Sequence, residues 1–329
     1  METWLLEKLV CPRDRQPLVS TGGKLVCAAG HGYPVVDGVP VLLANENDQT
    51  HWVIERALGF SANEKALEEL ANELDHKGAG VHPYVQTAIG ATNGNLYGSV
   101  IGKLPRYPIP ELRLPDGKQK TLLDVGCNWG RWTISAAQKG YRAVGLDPSL
   151  DAVLVARQVC RQLGVEAEFV VADARYLPFA AKTFDCVFSY SVLQHFSKEN
   201  VRVSLAEIAR VMVPGALSMI QMPNKFGLRS LQQQARRRFR KPEHFQVRYW
   251  TCSELETVFG SVIGKSKLSV DGFFGLGVQP ADIDLLPARF KLVVAASELL
   301  RQCSKQMGAL KYLADSLYVT SQRNGDITQ

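Results

Sequence analysis

No stretch of about eighteen consecutive apolar residues occurs in this 329-residue chain, so no membrane-spanning helix is expected. The opening METWLLEKLVCPRD lacks a signal-peptide layout, because its apolar run is short and broken by charges, and the cytoplasm is the expected compartment. The seven cysteines follow no disulfide-framework spacing, and their odd number leaves at least one thiol free. Internal repeats and low-complexity tracts are absent. Neither sign of charge dominates: a net +6 is only mildly basic, which favours neither a dedicated nucleic-acid binder nor an acidic solvating chain. What remains is a hydrophobic content of 46%, enough for a sizeable core, and a length that suits one large domain with a smaller one.

The most informative stretch is TLLDVGCNWGRWTISAAQKGYRAVGLD, Thr121 to Asp147. Leu122, Leu123 and Val125 form a short buried run ending at Gly126; the turn Gly126-Cys127-Asn128-Trp129-Gly130 follows. A helix of about ten residues leads to a second apolar run, Ala143 to Leu146, closed by Asp147. This is the pattern of a right-handed βαβ unit with a glycine-bearing turn at the carboxyl end of its first strand. An acid about twenty residues past that turn is placed to accept hydrogen bonds from a ribose diol, which points to an adenosine-type cofactor. The dinucleotide fingerprint G-x-G-x-x-G is broken, since Asn128 and Arg131 stand at its second and third glycine positions and Trp129 and Trp132 add bulk. The phosphate loop G-x-x-x-x-G-K-S/T is absent from this turn too. A cofactor without phosphates fits better, and S-adenosylmethionine (SAM) offers an adenine, a ribose diol, a sulfonium and an amino-acid end. An NAD-dependent oxidoreductase is the weakest reading for the same reason.

Further strands are expected at Glu168 to Val171, Phe184 to Tyr190, Leu217 to Met222, Lys267 to Val270 and Ser316 to Thr320, with a turn at Pro214-Gly215-Ala216. In this order LLDVGCNWG, VGLDPS, VVADARYLPF and FDCVFSYSVLQHF resemble motifs I to IV of the class I SAM-dependent methyltransferases, the type 11 group in particular. The resemblance covers roughly Thr121 to Pro223, with weaker echoes to Tyr318. It implies an α/β fold, a doubly wound, mostly parallel, seven-stranded Rossmann-like sheet. It also implies that Asp124, Gly126, Asn128 and Gly130 line the methionine moiety, and that Asp147 takes the ribose hydroxyls. Asp173 with Ala174 would read the adenine edge, and Ser189 would face the sulfonium. The bland alternative is that Asp147 and Asp173 merely cap the helices that follow. Asn128 departs from the family's D-x-G-x-G-x-G, but Asn is the next-best residue for positive φ, so the loop is expected to survive.

Residues 1–44 read as a small, turn-rich unit. Cys11-x2-Asp14 and Cys27-x3-His31 have the spacing of two metal knuckles. LLEKLVCP and CAAGHGYPVVDGVPVLL resemble the zinc-ribbon-like activator domain of tRNA and other methyltransferases, and the zinc-ribbon head of some rRNA guanine methyltransferases. The resemblance implies a small zinc-ribbon-like α+β domain. Zinc accepts carboxylate oxygen, so Cys11, Asp14, Cys27 and His31 suit a closed structural site; the alternative is a ribbon that kept its fold and lost its metal. Residues 45–117 are expected to be a helical linker with a cofactor-covering segment. It holds a polar run at Asn45 to Gln49, a capping box at Ser61 to Glu64 and a helix stop at Gly78. The catalytic domain would span 118–329, with insertions at about 224–250 and 276–314.

His195, a few residues past the fourth strand, is the candidate general base, against the alternative of a packing or loop-orienting histidine. The Asn/Asp/Ser-Pro-Pro-Tyr/Phe signature of many base N-methylating enzymes is absent; Ser189-Tyr190-Ser191-Val192 stands there, which favours transfer to oxygen or carbon. Arg236 to Lys241 suits either an anionic acceptor or a solvated helix face, and Arg248 and Tyr249 are candidate walls of the acceptor pocket. The leading expectation is a methyltransferase acting on a small-molecule, glycan or lipid-type acceptor. An RNA methyltransferase and a non-catalytic SAM-binding scaffold are the alternatives, and the sequence says nothing of oligomeric state.

Overall fold

Strands that are apolar at successive positions, not alternate ones, must be covered on both faces, and this requirement sets the architecture. In the computed structural model, which describes residues 1–44, 57, 69–70, 72–75 and 78–325, β5 (Thr121–Val125), β6 (Arg142–Asp147) and β7 (Glu168–Ala172) are buried after their first residue. They pair in parallel with one another and with β8 (Phe184–Ser189) and β9 (Met212–Pro223). The last two strands, β10 (Ser266–Gly272) and β11 (Ser316–Gln322), complete a seven-strand order β7-β6-β5-β8-β9-β11-β10 with β11 antiparallel to both neighbours.

The small N-terminal unit does not stand apart. Its strands β1 (Val19–Thr21), β2 (Lys24–Val26), β3 (Gly32–Val36) and β4 (Val39–Leu42) extend the same sheet to eleven strands. β4, buried throughout, pairs in parallel with β7 through Val41 with Val171 and Leu42 with Ala172. The open edge of the large sheet is thereby covered. Leu5 in helix α1 (Thr3–Leu6), with Leu9 and Leu25, shares one apolar cluster with Leu146, Phe179 and Leu205 of the large domain. Backbone bonds from Val10 to Pro178 and from Ala180 to Lys8, and an Arg157–Asp37 ion pair at 2.8 Å, complete the seam.

Helices flank the sheet. α2 spans Pro83–Thr92 and α3 spans Arg131–Gln138. α4 (Leu150–Leu163) starts at the Ser149 cap and stops at Gly164 in the left-handed conformation. α5 (Lys198–Val211) starts at Ser197, and α6 spans Leu228–Arg236. α7 (Cys252–Val262) opens on the Thr251 and Glu254 capping box, and α8 spans Ala288–Ser304. Three expectations need correction or restriction. The turn at Pro214-Gly215-Ala216 is absorbed into β9 as an exposed irregularity, with Gly215 at φ 78 and a register shift against β8. Helix α2 was not legible, because only Val85 and Ile89 on it are buried. The linker at Asn45 to Gln49 and the capping box at Ser61 to Glu64 lie outside the described residues.

The segment after β10 folds back over the large sheet. Asp282, fully buried, accepts from the Tyr97 hydroxyl at 2.5 Å and pairs with Arg131 in the first turn of α3. At the tip of this contact, Gly277 has φ +81, and an added Cβ would lie 2.1 Å from the Asn93 carbonyl oxygen. Gly277→Ala combines a disfavoured backbone with a collision against main chain. It is expected to cost about 2–4 kcal/mol of unfolding free energy in a urea titration; a change near zero would mean that the two loops separate easily.

Candidate active site

The carboxyl ends of β5 to β8 open into a cleft of about 1100 Å³, at the position where strand order reverses on either side of β5 and open α/β sheets bind ligands. Its floor is the turn after β5. Gly126 has φ 80, and a Cβ there would overlap Val192 Cγ2 at 2.1 Å, so glycine is required. Asn128 takes φ 47 and closes the bend by accepting from the Trp129 amide at 2.9 Å. The resemblance anticipated this conformation at the non-glycine position.

Asp147, at the end of β6, faces the cleft and is only 8% exposed. Its Oδ2 accepts from the Asn128 amide and its Oδ1 from the Ser149 amide, both at 2.9 Å. Burial nonetheless raises its pKa to about 6, and the two amides only partly offset that. Asp147 is therefore joined to the turn after β5 while remaining accessible to a ligand. Tyr84 on α2 stands over the same turn, beside Asn128 and Ser149. Asp173 and Ala174, after β7, form the next part of the wall. Both Asp173 oxygens are engaged by Arg175: the Arg175 amide and Nε donate to Oδ1 at 2.8 and 3.1 Å, and Nη2 donates to Oδ2 at 2.6 Å. Nothing in the sequence reading pointed to this buried ion pair, although the Asp-x-Arg spacing was visible.

Four of the expected site residues do not line the cleft. Asp124 lies behind the turn and accepts from Thr133 Oγ1 at 2.7 Å; complete burial raises its pKa to about 7. Gly130 serves helix packing, since a Cβ there would meet Ala156 at 3.0 Å. Ser189 donates to the Val125 carbonyl at 2.8 Å and so turns into the sheet. Arg248 braces the 244–248 loop, with Nη1 donating to the carbonyls of His195 at 2.6 Å and of His244 and Gln246 at 3.1 Å. Seven others do reach it: Gly126, Asn128, Asp147, Asp173, Ala174, His195 and Tyr249.

The second half of the cleft is built on the segment after β8 and on α6. Ser191, at φ 63, lines it; its amide donates to Gln221 and its hydroxyl accepts from Gln194 Nε2 at 2.7 Å. The His195 ring stacks on Phe245 with centroids 3.8 Å apart. Its Nδ1 lies 2.6 Å from the Phe245 carbonyl oxygen, which can only accept, so Nδ1 carries the proton, and Nε2 is the acceptor nitrogen of the neutral ring, which accepts from Gln194 Nε2 at 3.2 Å until an acceptor hydroxyl replaces it. Arg229, Gln233, Arg236 and Arg237 line the same cleft. The sequence singled out the arginine run but not α6, so it could not show that three of these cations face the cleft of His195.

In the head, the donor atoms of Cys11, Asp14, Cys27 and His31 all lie within 4.8 Å of one another. His31 Nδ1 is 3.5 Å from Cys11 Sγ, 3.4 Å from Cys27 Sγ and 3.1 Å from Asp14 Oδ2. Cys27 Sγ is 3.4 Å from the same carboxylate oxygen. Ligands at ordinary zinc bond lengths on a tetrahedron are about 3.4–3.8 Å apart, so the two knuckles are closed to the size of a zinc site. Cys11 and Cys27 are buried, and the Tyr33 hydroxyl, 3.1 Å from Cys11 Sγ, backs the first of them.

Comparison with known proteins agrees with both halves of this arrangement. Residues 122–215 match the family described as methyltransferase domain, and residues 4–38 match the Trm112p-like protein family. This chain carries a class I methyltransferase domain with a Trm112p-like head. The methyltransferase match runs from β5 into β9 and includes the turn at Gly126, Asp147, Asp173 and His195. Among curated proteins the chain is similar to the biotin biosynthesis bifunctional protein BioHC of Cellvibrio japonicus, 32% identical over 182 residues, 54% of this chain and 34% of that one. It is similar to the ubiquinone biosynthesis O-methyltransferase of Agrobacterium fabrum, 29% identical over 104 residues, 32% of this chain and 41% of that one. It is also similar to the probable tRNA methyltransferase 9B of Homo sapiens, 35% identical over 100 residues, 30% of this chain and 20% of that one. The chain thus spans between a fifth and two fifths of the length of these relatives.

Proposed function

We propose that this chain transfers the sulfonium methyl of SAM to an oxygen or carbon atom of a small-molecule, glycan or lipid-type acceptor. The observation that carries the reading is the Asp147 carboxylate, held at the end of β6 by the Asn128 amide and facing the cleft beside Gly126 and Asn128. Asp147 would accept from the ribose hydroxyls. Gly126 and Asn128 would border the methionine end, and Asp173, held by Arg175, with Ala174 would border the adenine. Methyl transfer is an in-line displacement in which the cofactor supplies the reactive carbon, and the protein orients the acceptor and takes its proton. For a hydroxyl acceptor, His195 Nε2 takes the proton as the oxygen lone pair forms the new C–O bond. Bound SAM would supply the methyl carbon and take the C–S bonding pair on its sulfur, as S-adenosylhomocysteine. The Nδ1 bond to the Phe245 carbonyl sets the tautomer that this step requires.

His195→Ala is expected to bind SAM as the parent does in calorimetry while single-turnover methylation slows about 10²–10⁴-fold. Full turnover by the variant would end the base assignment. Methylation of RNA is a second reading, supported by the Trm112p-like head and by similarity to a probable tRNA methyltransferase. It requires acceptor binding that falls steeply with salt. A scaffold that binds SAM without turnover is the third, and labelled SAM incubated with fractionated cell extract separates all three by what becomes labelled.

A further inference from the structure

Methyl transfer makes no use of the outer face of α6. The helix shows three faces at helical spacing. Ser230 and Gln234 are buried against the domain, where the Ser230 amide donates to Asp315 and Gln234 donates to the Lys225 carbonyl. Arg229, Gln233 and Arg236 line the cleft. Leu228, Leu231 and Ala235 point to solvent. Around them Phe226 is 48% exposed and Phe239 68%. Interleaved with these apolar groups are Lys225, Arg229, Arg236, Arg237, Arg238, Arg240 and Lys241, and no aspartate or glutamate occurs between Lys225 and Lys241.

A solvated helix face accounts for the cations but not for the exposed Leu228, Leu231, Phe226 and Phe239 on and beside the same helix. RNA accounts for the cations and for stacked rings, but Leu228 and Leu231 offer no face on which a base can stack. An anionic lipid surface accounts for both: aliphatic and aromatic side chains enter the boundary between headgroups and acyl chains while arginines and lysines meet the phosphates. We propose that α6 and residues 237–245 dock the mouth of the cleft on an anionic membrane surface. The proposal stands on surface chemistry alone and does not require the methyl-transfer reading.

Co-sedimentation of the full-length protein with vesicles tests it. Binding is expected to vesicles of phosphatidylcholine doped with phosphatidylglycerol, about tenfold weaker to phosphatidylcholine alone, and weakened by added salt. The triple variant Leu228→Ser, Leu231→Ser, Phe239→Ser should lose about tenfold or more in partitioning, with SAM affinity and far-UV circular dichroism unchanged. Arg238→Glu with Arg240→Glu, which touches no apolar group, should lose the preference for phosphatidylglycerol. The proposal is overturned if the protein ignores phosphatidylglycerol vesicles, or if neither variant changes partitioning. It is equally overturned if single-stranded RNA is bound with a steep salt dependence while vesicles are not.

Discussion

Asp147→Ala should weaken SAM binding at least about tenfold in calorimetry, because hydrogen bonds to a charged acceptor are worth about 1.5–3 kcal/mol each. The pH dependence distinguishes this role from a merely structural one. Burial raises the carboxyl from 3.8 to about 6, so near pH 5 the ligand-free protein holds it largely protonated. Ribose hydroxyls donate to the ionised form, so SAM affinity should rise with pH through about 6 and level off above it. Asp147→Asn should flatten that profile. The stability of the ligand-free fold runs the other way. Asp147, and Asp124 with its pKa raised to about 7, bind more protons folded than unfolded between the ordinary carboxylate range and these values. Stability therefore falls as pH rises through that window. An Asp147→Ala protein with unchanged affinity, or a parent profile that is flat between pH 5 and 7, would remove the assignment.

The second large effect is expected at the Cys11, Asp14, Cys27 and His31 cluster of the head. Structural zinc contributes about 10–16 kcal/mol of binding energy to folding in zinc-finger peptides, and here the four donors lie before β1 and between β2 and β3, the strands that lead to β4. Cys27→Ser should abolish stoichiometric zinc by plasma mass spectrometry and lower Tm by about 10 °C or more. The loss should extend beyond the head. Leu42 pairs with Ala172, the residue before Asp173, and Leu5 and Leu9 pack with Leu146 and Phe179. A loosened head therefore frees β7, the strand that leads into Asp173 and Ala174 of the cleft wall, and SAM affinity should fall together with Tm. Parent protein that contains no zinc, and whose Tm is unmoved by Cys27→Ser, would instead identify the ribbon as one that folds without metal.

The central strands, the glycine turn and the acid after β6 were legible because each is local. A short apolar run bounded by turn residues reads as a strand covered on both faces, and the β5-turn-α3-β6 spacing carries Asp147 to the carboxyl edge. The two metal knuckles were legible for the same reason, as pairs separated by two and three residues. Their convergence into one cluster needed β1 to β3 to fold. Ser189 and Asp124 show where local reading stopped. Both belong to the motifs, but the sheet register aims Ser189 at Val125 and α3 covers Asp124 with Thr133. Arg248 likewise became a brace, not a pocket wall, because three carbonyls lie within its reach. The fold class, the glycine-bearing turn after β5 and the spacing of the two donor pairs of the head were thus legible in residue order alone, since their physics acts within a few residues. Three other features depend on partners distant in the chain, and only the tertiary structure decided them: the fusion of the head into one eleven-stranded sheet through β4 and β7, the tautomer of His195 set by Phe245, and the arginines of α6 that line the same cleft as that histidine.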